Sequence, residues 1–132
     1  MAAKVVDASA LAAVLFGEFE ADEIALRLKG HSLFASAILP FEIANTCLKK
    51  VRQFPAAREA LLSAIAKYDD IAIDTVDIDR ADMLAKGEAL GLTSYDASNL
   101  CLAIKLGAEL VTLDKKLDAA EGAPAVGGRK GP

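Results

Sequence analysis

The chain has no tryptophan, one histidine, two cysteines and few aromatic side chains, two Tyr and five Phe in 132 residues. Each scarcity removes a class of chemistry. A lone His31 excludes a histidine-rich zinc site and gives little support to a Ser-His-Asp or Cys-His mechanism. Cys47 and Cys101 form no CxxC pair. Both fall among apolar neighbours in predicted helices and read as reduced core thiols. With so little aromatic surface, base stacking is not an obvious mode of binding. No apolar run reaches membrane-spanning length and the N-terminus lacks the pattern of a signal peptide, so the chain is expected to be cytoplasmic. Basic charge is short as well. Fifteen Lys and Arg face nineteen Asp and Glu, for a net charge of −4, which argues against a protein held on nucleic acid by bulk electrostatics. A nuclease is still allowed, because metal ions can neutralise phosphate locally.

What is present is apolar and patterned. Hydrophobic residues make up 54% of the chain, much of it alanine, enough for one domain with a sizeable core. That domain is expected over residues 1–126, with GGRKGP at 127–132 as a flexible tail and Ala125-Val126 as a small edge strand. There is no internal repeat and no low-complexity segment.

Along the chain, short apolar runs alternate with helical patterns. KVVD, Lys4 to Asp7, reads as a strand running straight into a helix at SALAAVLF. A second helix covers residues 20–29 and a second strand Ser32 to Ser36. Pro40 suits the first turn of a third helix, with Phe41, Ala44, Leu48 and Val51 as its apolar stripe. Residues 56–68 make a fourth helix, Ile71 to Asp74 a third strand, and Asp77 to Leu90 a helix closed by Gly91. The stretch TSYDASNLCLAIKLGAELVTLD follows. Ala97, Leu100, Cys101 and Ile104 have the spacing of a buried helix face. Thr93 or Ser94 can cap that helix and Gly107 can end it. Ala108 to Leu113 suits a buried parallel strand. After Leu117 the pattern weakens.

Strands joined through helices are parallel, so their C-terminal ends share one edge, where ligands bind. Asp7 follows the first strand, Glu42 opens the helix after the second, and Asp114 follows the fourth, in what reads as a loop with Lys115 and Lys116. Asp96 starts the helix antiparallel to the fourth strand, which puts it over the same edge. As purely structural residues these acids would cap helices or offset helix dipoles, the role expected of Asp77, Asp79 and Asp82. Asp74 is set aside as the end of an edge strand. Four carboxylates meeting at one edge would repel and rise in pKa unless a cation offset them. Oxygen ligands without imidazole or thiolate select Mg²⁺ or Mn²⁺.

These residues carry a resemblance. DAS at Asp7 to Ser9, FEIAN at Phe41 to Asn45, YDA at Tyr95 to Ala97 and LVTLD at Leu110 to Asp114 are similar, in order and spacing, to PIN-domain proteins. The chain resembles in particular the VapC-type toxin ribonucleases of bacterial toxin–antitoxin pairs. The resemblance implies a three-layer α/β/α fold around a central parallel sheet of four to five strands. It implies a Mg²⁺- or Mn²⁺-dependent endoribonuclease with Asp7, Glu42, Asp96 and Asp114 as catalytic and metal-holding acids. Ser9, Thr112 and Asn45 would support them. RNA contacts are expected from Lys49, Lys50, Arg52, Lys115 and Lys116. The expected partners are RNA, a cognate antitoxin and a second copy of the chain, in a homodimer or a larger toxin–antitoxin assembly. A partner groove is expected from Leu11 to Phe16 and Ile24 to Leu28. Two other classes compete. A phosphatase with an aspartyl nucleophile would want a second acid where Ser9 stands, and no Gly-rich phosphate loop is present. A catalytically silent PIN-fold protein, acting through protein or RNA recognition, is disfavoured by the four intact acids.

Overall fold

Alternation along the strands sets the architecture. Successive side chains of a strand point to opposite faces, and here both faces are apolar, so the sheet must be covered twice. The computed structural model describes residues 2–121. Among them are four parallel strands, β1 (Ala3–Val6), β2 (Ser32–Ser36), β3 (Ile73–Val76) and β4 (Glu109–Val111), in the order β3-β2-β1-β4. Helices α1 (Ala8–Leu15), α2 (Ala21–Leu28), α3 (Leu39–Gln53) and α4 (Arg58–Ala66) come before β3. Helices α5 (Arg80–Leu90), α6 (Ser94–Leu106) and α7 (Lys115–Glu121) come after it.

The two cores divide the sheet residue by residue. Val6, Ala35 and Val111 pack with Leu11, Leu15, Ile24, Leu39 and Ile43 on one face. Val5 and Leu110 pack with Leu100, Leu102, Ala103 and Leu117 on the other. The result is the three-layer α/β/α arrangement with a parallel sheet. The strand expected at Ala125-Val126 and the tail at 127–132 lie outside the described residues.

Several local expectations shift. The buried row of α3 is Leu39, Ile43 and Cys47, while Phe41 is 71% exposed and Leu48 is also exposed. Apolar residues occur on both sides of this helix, and the side that meets α1 and the sheet wins. On α6, Ala97 and Leu100 are buried as expected, Cys101 only partly, and Ile104 is exposed. This helix packs against both the sheet and α5, so its buried arc is broad and turns toward Leu102 and Ala103. β3 starts two residues late, because Lys67–Asp70 form a 3-10 turn first. Asp74 therefore lies within the edge strand, paired across from Phe34. α5 and α6 form a tight hairpin. Gly91 takes the left-handed conformation that ends α5, and a side chain at Gly87 would meet the Leu92 carbonyl at 3.0 Å. No described helix is long and apolar enough to cross a membrane.

The shifted face of α6 is testable by comparing two truncations. Leu102→Ala should cost about 2–5 kcal/mol of stability, and Ile104→Ala within about 0.5 kcal/mol. Urea unfolding monitored by circular dichroism decides between them. Equal losses would restore the stripe that includes Ile104.

Candidate functional site

Asp7 ends β1, which runs between β2 and β4. It is 4% exposed. Its Oδ2 accepts from the Ser9 hydroxyl at 2.6 Å, the Ser9 N–H at 3.3 Å and the Thr112 hydroxyl at 2.9 Å. Its Oδ1 accepts from Asn99 Nδ2 at 3.0 Å. The carboxylate thus caps α1 while being held from three directions: its own helix, the end of β4 and the body of α6. Ser9 and Thr112 have second tasks. The Ser9 hydroxyl accepts from the Leu113 N–H and the Thr112 hydroxyl from the Asp114 N–H, at 2.9 and 3.0 Å. These bonds fasten the segment after β4 to the start of α1.

Asn99 is buried, bonds Asp7 on one side and accepts from the Ser36 N–H at 3.3 Å on the other. It links the ends of β1 and β2 through one amide. Motif and strand-end patterning do not single it out. Its signal was present, a Ser98-Asn99 pair inside an otherwise apolar helix, where a buried amide needs partners for its donors and acceptor.

Glu42 lies in the first turn of α3, beside the buried row. Its carboxyl is pushed up to about 7, first by burial and then by the charges of Asp7 and Asp96. Its Oε1 is buried with no hydrogen-bond partner among the described residues. Asp96 lies one turn inside α6, its N–H held by the capping Thr93 hydroxyl at 3.1 Å. Burial and the charges of Asp7 and Asp114 raise its carboxyl, while the Thr93 contact and the Lys116 ammonium pull it down. The four acids are therefore one electrostatic group.

Asp114 differs from its expected place. The residues after it form α7, and its Oδ1 caps that helix by accepting from the N–H groups of Lys116 and Leu117, at 2.9 and 3.1 Å. The expectation of a loosely held loop acid is corrected. The sequence hid this because α7 is a short helix of seven residues.

The other predicted residues scatter. Asn45 is exposed one turn beyond Glu42, and no hydrogen bond joins it to the acids among the described residues. Lys116 stands at the acids; Lys115 starts α7 beside it. Lys50 bonds Glu18 at 2.6 Å and lies 5.4 Å from the centre of the Phe16 ring, so it is committed elsewhere. Lys49 and Arg52 are exposed on α3, roughly 10 and 15 Å along the helix from Glu42 at 1.5 Å per residue.

The donor set is all oxygen, half-buried, and carries one orphaned carboxylate oxygen, which fits a hard divalent cation. Among the described residues no three His, Cys, Asp or Glu side chains close on a single point. The acids ring the edge instead.

The raised Glu42 carboxyl has a sign that can be checked. Its ordinary value is 4.5 and its folded value about 7, so the folded state binds the extra proton between them. Stability is then lost as pH rises through that window. Glu42→Gln should melt higher than the parent at pH 8, with the difference shrinking to nothing by pH 4.5. Thermal melts in chelator across that range measure it, and a pH-independent difference would assign the effect to packing instead.

Comparison with known proteins agrees with this fold. The crystal structure of PAE2754 from Pyrobaculum aerophilum is similar over 92% of this chain and 86% of that one, with a TM-score of 0.67 and 24% identity. That likeness is one of fold. No curated protein sequence matches the chain significantly. The family model described as PIN domain matches residues 4–123, a span that holds all four acids and the sheet apart from the first residue of β1, and the chain belongs to the PIN-domain family.

Proposed function

We propose that the protein is a Mg²⁺- or Mn²⁺-dependent endoribonuclease and the toxin component of a toxin–antitoxin pair. PIN-domain proteins are generally metal-dependent nucleases. The observation that carries the reading here is the Glu42 carboxyl, raised to about 7 and orphaned at one oxygen beside Asp7 and Asp96. Such a group is costly to keep unless a cation or a reacting proton uses it.

Asp7, Glu42, Asp96 and Asp114 would hold the ion, which when bound would supply an activated water and offset charge on the phosphate oxygens. The chain's own residues do the rest. Ser9, Thr112 and Asn99 fix the Asp7 carboxylate so that it need not reorganise. Glu42, half-buried beside Asp7 and Asp96, is the carboxylate whose burial and repulsion a bound cation would most directly offset. Lys116 brings the nearest positive charge to bear on the phosphate, with Lys115 beside it.

The partner reading rests on exposed apolar surface. Within the expected segments, Leu11 to Phe16 and Ile24 to Leu28, the side chains of Leu11, Leu15, Ile24 and Leu28 are buried in the chain's own core, which leaves Leu26 as the exposed large apolar residue there. Phe19 in the α1–α2 connection, Leu26 on α2 and Phe41 on α3 are exposed. They are the surface we assign to an inhibitory antitoxin, and homodimer formation is proposed with it.

RNA incubated with the purified protein should be cut only with Mg²⁺ or Mn²⁺ present, and Asp7→Asn should abolish cutting. Asn99→Ala, which frees one Asp7 oxygen, should slow it about 10- to 100-fold. Asp114→Asn keeps the cap and removes the charge, and should cost less than Asp7→Asn. Cutting that persists in chelator, and in Asp7→Asn, would refute the mechanism. For the partner, expression alone should arrest growth, and Phe41→Asp should prevent rescue by a co-expressed upstream neighbour. Harmless expression of a strictly monomeric protein would refute the toxin assignment.

A further inference from the structure

At the same edge as the acids, the chain encloses a second feature with no part in holding a cation. A cavity of about 340 Å³ opens between the end of β2, the β3–α5 turn and the first turns of α6, bounded by Ser36, Asp77, Ile78, Met83, Tyr95 and Ser98. It lies in the range of small-molecule sites, roughly 300–1,000 Å³. One nucleobase with its ribose fits; a duplex does not.

Its walls are of the right kind. Tyr95, 57% exposed and next to Asp96, offers an aromatic face, and bases of any sequence stack on such faces. Met83 and Ile78, both half-buried, supply a polarisable and an apolar surface near it. The floor is a pair of buried hydroxyls, Ser36 and Ser98, 2.9 Å apart. The Ser98 proton can serve either the Tyr95 carbonyl at 2.6 Å or the Ser36 oxygen, but not both. In the first case the pair turns lone pairs toward the cavity; in the second the Ser36 proton is free to donate. The floor can therefore answer either kind of group on a ligand.

Asp77 is the one carboxylate in the cavity wall. It was expected to cap a helix, but Asp79 does that, accepting from the Asp82 N–H at 3.3 Å. Asp77 stands exposed just past β3 with no hydrogen-bond partner among the described residues. A carboxylate offers two acceptors side by side. Guanine alone among the four bases presents two adjacent donor groups on its pairing edge, N1–H and the N2 amine. Adenine and cytosine offer one amine beside an acceptor, and uracil one N–H between two carbonyls that would repel the carboxylate.

The cavity is also wired to the acids. The Ser36 N–H that starts its floor bonds Asn99, and Asn99 bonds Asp7. We propose that this cavity holds the nucleotide flanking the phosphate to be cut and selects guanine there through Asp77. Its place beside a cut phosphate rests on the nuclease reading; the base site itself does not.

The test separates the two. The ¹⁵N-labelled protein, in chelator, is titrated with 5′-GMP, 5′-AMP, 5′-CMP, 5′-UMP and ribose 5-phosphate and followed by NMR. GMP should move the amide signals of Ser36, Asp77, Tyr95 and Ser98 and bind at least about fivefold more tightly than the others, the low end for a bidentate base contact. Asp77→Asn should erase that preference, and Tyr95→Ala should weaken all four nucleotides about 5- to 100-fold by loss of stacking. Equal binding of the four, shifts confined to those ribose 5-phosphate also causes, or shifts elsewhere would overturn the proposal. Sequencing of cleavage ends gives the second readout, guanine at one fixed position beside the cut, lost in Asp77→Asn. Guanine binding without any RNA cleavage keeps the base site and removes the nuclease; cleavage without either guanine signal does the reverse.

Discussion

Repulsion among four carboxylates at one sheet edge is the constraint on which the rest of the structure depends. Asp7, Glu42, Asp96 and Asp114 lie close enough for their charges to act on one another, and the consequence shows where burial adds to it, in the raised carboxyls of Glu42 and Asp96. A fold keeps such a group only if the backbone leaves the acids no escape. Here each is anchored by a local device. Asp7 and Asp114 cap the helices that follow them, Asp96 rides on a helix capped by Thr93, and Glu42 sits in the first turn of α3. The caps supply local stability, and the stability they supply offsets the strain of holding like charges together.

The sheet turns these local anchors into one site. β1 lies between β2 and β4, so the residue that ends it is surrounded by the ends of its neighbours and by the helices entering behind them. Its two valines face opposite cores, which fixes register, since a slip by one residue would exchange the faces. Helix α6 joins the layers. It covers one face through Leu100 and Leu102, carries Asp96 at its start, and reaches across the strand ends with Asn99. A single polar residue in an apolar helix thereby couples Asp7 to the end of β2.

Much of this was legible in the sequence. The alternation of strands and helices, the parallel sheet, the common edge and the helix start at Thr93 follow from patterning and capping chemistry that act over a few residues. The four acids stood out because they recur at strand ends and helix starts, and the ordered motifs gave the family. The details that failed share one cause. The stripe on α3, the exposure of Ile104, the start of β3 and the helix after Asp114 all depend on which neighbour an element meets. Apolar residues on two sides of α3 make two stripes possible, and contact with α1, α4 and the core on the sheet chooses between them.

By itself, then, the sequence determined the order of elements as far as β4, the parallel direction of the strands and which acids stand at strand ends and helix starts, because hydrophobic period and cap chemistry are local and strong. Tertiary structure alone decided what surrounds each acid: the Asn99 bridge between residues 92 positions apart, the Thr112 bond to Asp7 across 105, and the burial that lifts Glu42. A hydrogen bond or a desolvation depends on distance in space, and no periodicity in the chain encodes which distant side chain will arrive there.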